Sequence, residues 1–433
     1  MAAVAAVSDG GVVAAGCTNG TWNGEASQGL VDFAAVKLDS AGTVLWRWQS
    51  GTTEEDKLRA CVETADGNVV VAGYSQGSVD GTDEDAWNDL VAVKLDVNDG
   101  EEIWSYQAGT VGTGGTYAYA AAARADGSIV LAGNTFGYFD APLSTTGGDA
   151  DFAAVAIDEN GEELWRWQGG PASGTNVFLA CTALDDGSVI LGGYTEGNWT
   201  GTNNGGKDFA MVKLNESGKE EWRWQGGTEL DDEWEGAATA TDGSIVLAGY
   251  TLGSWTGTRT VIDNAKDFAA MAVDEDGMQL WLYQAGTDAS DDFNALTVRP
   301  DGSILLAGWT DGTWTSSEDD PDSYIDYATV LVHYASLLDA PSPGPISSPL
   351  STPSPLPDST SSSSTWLVEV MIGAAVGAVA LLVTLGVCFA WRRRRLTIER
   401  NGPAKMTRNF PVAAPAPGAV PPLPSYHEAI DAP

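Results

Sequence analysis

Apolar residues fall into short runs separated by turn residues along most of the chain. In one stretch, the apolar run 177–184 is followed by the turn dipeptide Asp186-Gly187 and by a second run at 188–194. A loop rich in Gly, Thr and Asn leads to a third run at 209–214, and a turn leads to a fourth segment, Glu221–Gln225. Asp-Gly between two apolar runs of this length is a strong hairpin signal. The pattern therefore predicts four antiparallel strands in this stretch.

This four-stranded unit recurs along the chain at intervals of about 58 residues. Three markers keep a fixed phase: the Asp-Gly turn, an acidic residue before the third run, and a tryptophan in the fourth segment. The turns begin at Asp9, Asp66, Asp126, Asp186, Asp242 and Asp301; the acidic residues are Asp32, Asp89, Asp151, Asp208, Asp267 and Asp326; and the tryptophans are Trp46, Trp104, Trp165, Trp222 and Trp281. Self-similarity at a fixed period is the signature of a repeat architecture, so we predict six copies of one unit.

Repeated units of four antiparallel strands are typical of a β-propeller, in which each unit forms one blade. Inner runs such as 129–132 and 245–248 lack polar alternation, as expected for strands that are covered on both faces. In the fourth segment, the strand period of two places Trp222 and Trp224 on one face, where they can fill the gap between blades. A linear β-solenoid is the alternative, but its repeats are usually shorter. We expect an all-β fold, a β-propeller of about six four-stranded blades, over residues 1–339.

The run DFAAVKLDSAGTVLWRWQSGT, which begins at Asp32, and the later run DGNVVVAGYS resemble the units of the bacterial seven-bladed β-propeller repeat family. This resemblance covers residues 1–335 and implies a propeller fold. The segments Asp96–Trp104 and Asp158–Trp165 also resemble the tryptophan docking motif of the quinoprotein dehydrogenases, in which the motif girdles the blades together. That resemblance implies a structural role for the five repeat tryptophans. The vicinal cysteine pair of those enzymes has no counterpart in this sequence, so only the fold is carried over.

The two ends of the repeat region differ from its middle. The sixth copy stops after residues 327–337 without reaching a tryptophan-bearing segment, and the first copy opens directly at Ala2–Val7. Propellers commonly close through an N-terminal strand that completes the last blade, and no leader with a basic start precedes Ala2. We therefore expect that the N-terminus is truncated, that the signal peptide is missing, and that the ring is open as written.

An uncharged stretch of 22 residues, Val370–Trp391, follows the repeats. A helix of that length would measure about 33 Å, enough for a hydrocarbon core of about 30 Å. Trp366 lies where an aromatic belt is expected, and Arg392–Arg395 directly follow the stretch, which places the C-terminus in the cytosol. We therefore predict a single transmembrane helix at 366–391 in the cell membrane, with the N-terminal repeats outside. A buried core helix is the alternative.

The segments on either side of this predicted helix have compositions that cannot bury a core. Residues 340–365 are rich in Ser, Thr and Pro, which is typical of an extended, O-glycosylated stalk. The cytoplasmic tail, 392–433, contains a Pro-rich run ending in Leu423-Pro424-Ser425-Tyr426, which resembles the ligands of WW domains; SH3 domains are further candidate partners. A merely disordered tail is the alternative. Gly373 and Gly377 form a small face on the predicted helix that favours a homodimer.

Charge and residue usage exclude several classes of function. The chain has 21 basic and 60 acidic residues, a formal net charge of −39, so nucleic acid is not an expected partner. Its four cysteines and two histidines give little basis for a disulfide scaffold, a zinc module or histidine-based catalysis. Cys61 and Cys181 occupy the same phase of two copies that are not neighbours, so we expect no disulfide between them.

Acidic loops such as Glu54-Glu55-Asp56, Asp231-Asp232-Glu233 and 318–322 offer the hard oxygen ligands that Ca²⁺ prefers. None of them has the alternating spacing of a calcium-binding propeller loop, so a solvated surface is the simpler interpretation. We predict no cofactor, and calcium stays open as the alternative. Candidate N-glycosylation sites on the predicted outer side are Asn19, Asn198 and Asn215.

A second set of tryptophans lies in the glycine-rich loops of the repeats: Trp22, Trp199, Trp255 and Trp314. These side chains either pack under their loops or form an exposed rim for a sugar or a protein ligand. No nucleophile–base pair, metal cluster or cofactor anchor stands out, so we predict that the chain is not an enzyme. We expect a single-pass cell-surface receptor or adhesion protein whose propeller binds an extracellular protein or glycan. A membrane-anchored propeller enzyme, such as a glycan-processing hydrolase or a quinoprotein-like oxidoreductase, is the alternative.

Overall fold

The computed structural model describes residues 2–332, apart from residues 23, 25–26, 80–86, 111–113, 140–148, 256–264, 300 and 313–325. Every regular element within these ranges is a strand. No helix suited to crossing a membrane occurs in these ranges. The predicted stalk, transmembrane helix with Gly373 and Gly377, and tail motif Leu423–Tyr426 lie outside the described residues.

Six antiparallel sheets follow one another along the chain, one for each predicted repeat. The first comprises β1 (Ala3–Ala6), β2 (Val12–Thr18), β3 (Asp32–Leu38) and β4 (Val44–Ser50). The second comprises β5 (Asp56–Glu63), β6 (Val69–Ser75), β7 (Asp89–Leu95) and β8 (Glu102–Ala108). The third comprises β9 (Thr116–Ala123), β10 (Ile129–Thr135), β11 (Asp151–Ile157) and β12 (Glu163–Gly169).

The other three sheets repeat the same pattern. The fourth comprises β13 (Asn176–Ala183), β14 (Val189–Thr195), β15 (Asp208–Leu214) and β16 (Glu220–Gly226). The fifth comprises β17 (Asp232–Thr239), β18 (Ile245–Thr251), β19 (Asp267–Val273) and β20 (Gln279–Ala285). The sixth comprises three described strands, β21 (Asp291–Val298), β22 (Ile304–Thr310) and β23 (Asp326–Val332).

The strands of each sheet are paired in chain order, so each sheet is one propeller blade. The first strands of successive blades, from β1 through β5, β9, β13 and β17 to β21, lie next to one another along the inside of the assembly. The all-β propeller of six blades predicted from the repeats is therefore confirmed. The solenoid alternative fails because the sheets are separate and antiparallel, whereas a solenoid extends continuous sheets along its axis.

The second and third strands of each blade form the core. In β14 and β15, for example, nearly every residue is buried, including the Phe209 side chain. Adjacent blades meet through stacked aromatic rings: the ring centroids are 4.1 Å apart for Phe152 and Phe178 and 3.7 Å apart for Phe209 and Trp234. Burial of such plates supplies much of the free energy that holds neighbouring blades together.

Four of the five repeat tryptophans link their blade to the next one near its outer edge. The indole Nε1–H of Trp46 donates to Val97 O at 2.9 Å, and that of Trp104 donates to Glu159 O at 3.0 Å. Trp165 and Trp222 make the equivalent bonds to Glu216 O and Glu275 O, both at 2.9 Å. Trp281 is buried, and its Nε1 has no hydrogen-bond partner among the described residues.

A glutamine at the end of each fourth strand joins the core to the loops. In the fourth blade, Gln225 Nε2 donates to Asp208 Oδ2 and to Gly197 O, both at 2.9 Å, and its Oε1 accepts from the backbone N–H of Trp199 at 2.7 Å. The same glutamine–aspartate bond occurs in the first, second, third and fifth blades. The recurring aspartates also accept backbone N–H bonds from the preceding loop, as Asp32 does from Gln28 and Gly29.

Candidate functional site

Five of the six first strands contain a β-bulge at the same position. In β17, Trp234 pairs with Gly249 and Gly236 pairs with Ala248, so Glu235 is left between the two pairs as an extra residue. The equivalent bulge residues of the five blades are Arg59, Tyr119, Leu179, Glu235 and Asn294. A bulge re-aims a side chain and is common beside functional sites. We take these five bulge residues on the inner strands as the candidate binding site.

A glycine in each second strand makes the bulge possible. A methyl group placed on Gly249 would lie only 1.9 Å from Glu233 O, the carbonyl that the bulge pushes across the strand pair. Any larger residue would therefore force the two strands apart. The other glycines in the same position, with the same close approach, are Gly73, Gly133, Gly193 and Gly308.

The five bulge residues share a backbone but differ in chemistry. One is a guanidinium, one a phenol, one an alkyl group, one a carboxyl group and one an amide. Arg59 and Asn294 are exposed, and Tyr119, Leu179 and Glu235 are half-buried. The surrounding features, namely the buried strands, the glutamine–aspartate bonds and the repeat tryptophans, recur by contrast from blade to blade. The variation is therefore concentrated where a ligand would meet the inner wall.

Beside the bulges, the sixth residue of the second strands adds aromatic surface. This position carries Tyr74, Asn134, Tyr194, Tyr250 and Trp309 in the second to sixth blades. In the first blade it carries Cys17. Cys17 is exposed, because the position faces the inner wall.

The part of the wall formed by the second and third blades is aromatic and basic. The ring of Tyr74 meets that of Tyr117 edge-on at 4.9 Å, and Tyr117 stacks on Tyr119 at 6.0 Å. The guanidinium of Arg59 and the ammonium of Lys57 each lie 5.9 Å from the centre of the Tyr74 ring. Burial raises the pKa of Tyr119, and the neighbouring tyrosines add to that shift. Tyr119 therefore stays a neutral hydrogen-bonding group at physiological pH.

The part of the wall formed by the fourth to sixth blades is acidic, and lysines partly neutralise it. Lys207 Nζ lies 2.7 Å from Glu233 Oε2 and 3.8 Å from the centre of the Tyr194 ring. Lys266 Nζ lies 2.7 Å from Asp292 Oδ2, and its distance from the centre of the Tyr250 ring is 3.5 Å. Each lysine is thus held between a carboxylate and an aromatic face, an arrangement that suits ammonium groups.

The third carboxyl group of this region, Glu235, has no lysine partner among the described residues. Asn294 Nδ2 of the next blade donates to Glu235 Oε2. Burial, together with the negative charge of Asp292, raises the pKa of Glu235 to about 7. Burial is also the main cause of a raised pKa at Asp292, although Lys266 opposes it. The Asp292 side chain is only 2 % exposed, and its Oδ1 accepts no hydrogen bond from a described N–H or hydroxyl group. Its carboxyl group is hydrogen-bonded to that of Glu235.

The predicted tryptophan rim lies elsewhere, and its described members are packed. Trp199 is 8 % exposed, 4.7 Å from the ring of Phe152, and Trp255 stacks on Phe209 at the same ring distance. Trp22 is half-buried, and its Nε1–H donates to Ala35 O at 3.3 Å. Packing under the loops therefore accounts for these three tryptophans, and Trp314 lies outside the described residues.

The remaining predicted sites are distributed over the surface. Asn19 and Asn198 are exposed, whereas Asn215 is half-buried and accepts bonds within its own turn. The described residues contain no group of three metal-ligating side chains. Of the acidic loops, 318–322 lies in an undescribed segment, while Asp56 and Asp232 are buried at blade junctions. Cys61 and Cys181 are both free thiols.

The bulge residues could not be predicted from the strand pattern, because a bulge interrupts the period of two on which that pattern depends. One signal was present. A glycine in the interior of a strand often marks a bulge or a close backbone approach, and a glycine directly precedes Tyr74, Tyr194 and Tyr250. Counting back across the hairpin from that glycine would have located the bulge.

Among known proteins, similarity to this chain is found only at the level of the fold, in solved structures. No family model matches the chain, and no curated protein matches it. Similar solved structures include the WD40 propeller domain of Doa1 (11 % identity, 71 % of this chain and 88 % of that one, TM-score 0.32). A gluconolactonase from Xanthomonas campestris is similar at 12 % identity (64 % and 78 %, TM-score 0.35). A europium-containing methanol dehydrogenase is similar at 10 % identity (70 % and 72 %, TM-score 0.32). The fold assignment rests on the strand order above, and these similarities assign no activity.

Proposed function

We propose that this chain is a single-pass cell-surface protein whose extracellular propeller binds a protein or glycan ligand at its inner wall. The observation that carries the proposal is the set of five bulge residues. A constant frame of buried strands, glutamine–aspartate bonds and tryptophan contacts presents five side chains of different chemistry. Such a division between a rigid scaffold and variable exposed groups is what a specific binding surface requires.

The wall offers complementary contacts for a polar ligand. Tyr74, Tyr117 and Tyr119 supply flat apolar faces with hydroxyl groups, Arg59 supplies fixed donors, and Glu235 supplies a carboxyl group. Aromatic side chains and arginine contribute most of the binding energy in many protein interfaces, and aromatic faces also stack on sugars. These contacts support binding as the function and leave the choice between a protein and a glycan to experiment.

The test is a glycan and extracellular-protein array probed with the purified full-length chain in detergent, with and without calcium. The triple variant Arg59→Glu, Leu179→Glu and Asn294→Lys changes the inner wall. A control variant, Leu45→Glu with Leu164→Glu, changes two outer-strand positions that are about half exposed. We expect array binding to be lost in the first variant and kept in the control. Equal binding by both variants would place the ligand elsewhere.

The membrane part of the proposal rests on the sequence alone. Its supports are the uncharged stretch Val370–Trp391 and the four arginines that follow it. Protease treatment of sealed microsomes should leave the propeller intact and remove a tag placed after Pro433. Cleavage of the propeller instead of the tag would reverse the topology.

Three partners belong to this membrane scheme as proposals. The Leu423–Tyr426 motif would bind a WW or SH3 domain, Gly373 and Gly377 would pair two copies of the helix, and calcium would bind acidic loops. A pull-down with Tyr426→Ala tests the first of these, and crosslinking of Gly373→Leu tests the second. The comparison with and without calcium in the array tests the third.

A glycan-processing hydrolase is the second candidate, because of one observation. Glu235 and Asp292 are neighbouring carboxyl groups, and the pKa of Glu235 is raised to about 7. Paired carboxyl groups perform the acid and base steps in glycosidases, and a raised pKa suits the group that acts as the acid. Release of reducing sugar from array-positive glycans, and its loss in Glu235→Gln, would favour this candidate. Binding without turnover would favour the receptor.

A further inference from the structure

Carboxylate, tyrosine and lysine form a repeated arrangement on the acidic part of the inner wall. Glu233 faces Lys207 near Tyr194, and Asp292 faces Lys266 near Tyr250. In both cases an alkylammonium group from the chain itself occupies the space between an acid and an aromatic ring. The wall is therefore already built to accept lysine side chains.

Glu235 departs from this arrangement. Its partners among the described residues are the uncharged amide of Asn294 and the carboxyl group of Asp292. The neighbouring atom Asp292 Oδ1 is buried and accepts no hydrogen bond from a described N–H or hydroxyl group. Lys266 does not serve it, since Lys266 Nζ bonds the other carboxylate oxygen, Oδ2. Among the described residues, the protonated carboxyl group of Glu235 is therefore the one donor left for this oxygen, and no ammonium group serves this part of the wall.

We propose that Glu235 and Asp292 together bind a primary alkylammonium group, namely a lysine side chain of a protein partner. The inference rests on the proposed binding function and names the chemistry of its ligand. The ammonium would donate to Asp292 Oδ1 and to the Glu235 carboxylate, and thereby complete the pattern that Lys207 and Lys266 establish in the same wall. The half-buried Leu179 at the preceding bulge provides apolar surface for the alkyl stem.

A lysine fits the site formed by Glu235 and Asp292 better than an amino sugar does. Four methylene groups carry the charge of a lysine away from its backbone, so the ammonium can enter between closely spaced inner strands. In an amino sugar the ammonium is attached directly to the ring, which must then enter with it. Lys207 and Lys266 reach their carboxylates in the manner proposed for the ligand.

Binding must compete with a proton. The charged and titratable groups that face Glu235 from the surrounding strands are Glu233, Asp292, Tyr250 and Lys266. With its pKa near 7, Glu235 is protonated in part of the molecules at neutral pH. The ligand ammonium stays charged up to about pH 10. Binding therefore releases the Glu235 proton to solvent, and the apparent affinity follows the ionised fraction of Glu235.

The experiment measures binding of Nα-acetyl-lysine amide to the purified full-length chain by calorimetry at pH 6, 7 and 8. The matched neutral probe is the same compound acetylated at Nε. Glucosamine and N-acetylglucosamine form a second pair, which tests the amino-sugar source. The variants are Glu235→Gln and, as a control with the same chemical change on an exposed carboxylate, Glu162→Gln.

We expect the lysine probe to bind roughly tenfold more tightly at pH 8 than at pH 6, because the ionised fraction of a group with pKa 7 rises by that factor. The Nε-acetylated probe should not bind. Glu235→Gln should weaken binding at pH 8 and remove the pH dependence, and Glu162→Gln should change neither.

Three results would overturn the proposal: equal binding of the acetylated probe, an affinity independent of pH, or unchanged binding in Glu235→Gln. Binding of glucosamine without binding of the lysine probe would overturn the choice of a protein partner. If array ligands still depend on the bulge residues while the lysine probe fails, the proposed binding function stands and the inference alone is lost. Loss of both would remove the binding function as well.

Discussion

The indole of Trp165 lies directly against Gly218 of the following blade. A methyl group on Gly218 would come within 2.5 Å of the ring atom Cδ2, and the backbone of Gly218 has a φ of +77°. The glycine is therefore needed twice, for its conformation and for the space that the indole fills. Through this contact and the bond from Trp165 Nε1 to Glu216 O, the turn after the third strand of one blade holds the outer strand of the blade before it.

In the fourth blade, the hydrogen bond from a repeat tryptophan to the next blade can be tested separately from the contact made by the ring. Trp222→Phe removes the bond from Nε1 to Glu275 O, whereas Trp224→Phe, on the same strand and also half-buried, removes no bond found among the described residues. We expect the first change to lower the free energy of unfolding by about 1 kcal/mol more than the second. Denaturant titration of both variants provides the measurement. Equal losses would mean that the ring contact, without the bond, holds the blades.

The bulge glycine should be far less tolerant of substitution than a loop glycine. Gly249→Ala places a methyl group 1.9 Å from Glu233 O, and we expect a loss of about 3 kcal/mol or more in the free energy of unfolding. Gly201→Ala is the matched control, since nothing lies within 4 Å of the added carbon. The control should change stability by less than about 1 kcal/mol. Thermal unfolding of the two variants decides, and equal melting temperatures would contradict the bulge geometry.

The buried carboxyl group of Asp232 should make stability depend on pH. Burial, with a smaller contribution from the charge of Asp208, raises the pKa of Asp232 to about 7. Between about pH 4 and 7 the folded chain therefore binds this proton more readily than the unfolded chain, and stability declines as the pH rises through that window.

Asparagine is the substitution for this test, because Asn176 occupies the position equivalent to Asp232 at the junction of the third and fourth blades. Asp232→Asn should remove the pH-dependent loss, so the variant gains on the parent by about 2–4 kcal/mol between pH 5 and pH 8. Melting temperatures of parent and variant across this range give the comparison. A difference that stays constant with pH would assign Asp232 an ordinary pKa.

Neither an apolar nor an acidic residue should be able to replace the glutamine of the glutamine–aspartate pair. Gln225→Met removes the bonds to Asp208, Gly197 and the loop N–H of Trp199, and we expect a loss of about 3 kcal/mol. Gln225→Glu instead places two carboxyl groups together, so its loss should be larger at pH 8 than at pH 5, where the pair can share a proton. If the loss relative to the parent is the same at both pH values, the side chain does not face Asp208.

The amino-acid sequence alone was enough to predict the four-stranded blade. Hairpin turns such as Asp186-Gly187 and the fixed phase of Trp46, Trp104 and the other repeat tryptophans predicted strand number, order and bounds to within a residue or two. These features are local: a turn needs particular backbone angles, and a strand covered on both faces needs an unbroken apolar run. Repetition then supplied the architecture, since a blade cannot bury its faces alone.

Which side chains meet on the inner wall depends on the tertiary structure and could not be read from the sequence. Glu235 and Asn294 are 59 residues apart and meet because two first strands lie side by side, each bulged at the same residue. The raised pKa of Glu235 and its carboxyl contact with Asp292 depend on distances across blades, as does the position of Lys207 and Lys266 between an acid and an aromatic ring. Such distances follow from how blades pack around an axis, and no local pattern in the chain records them.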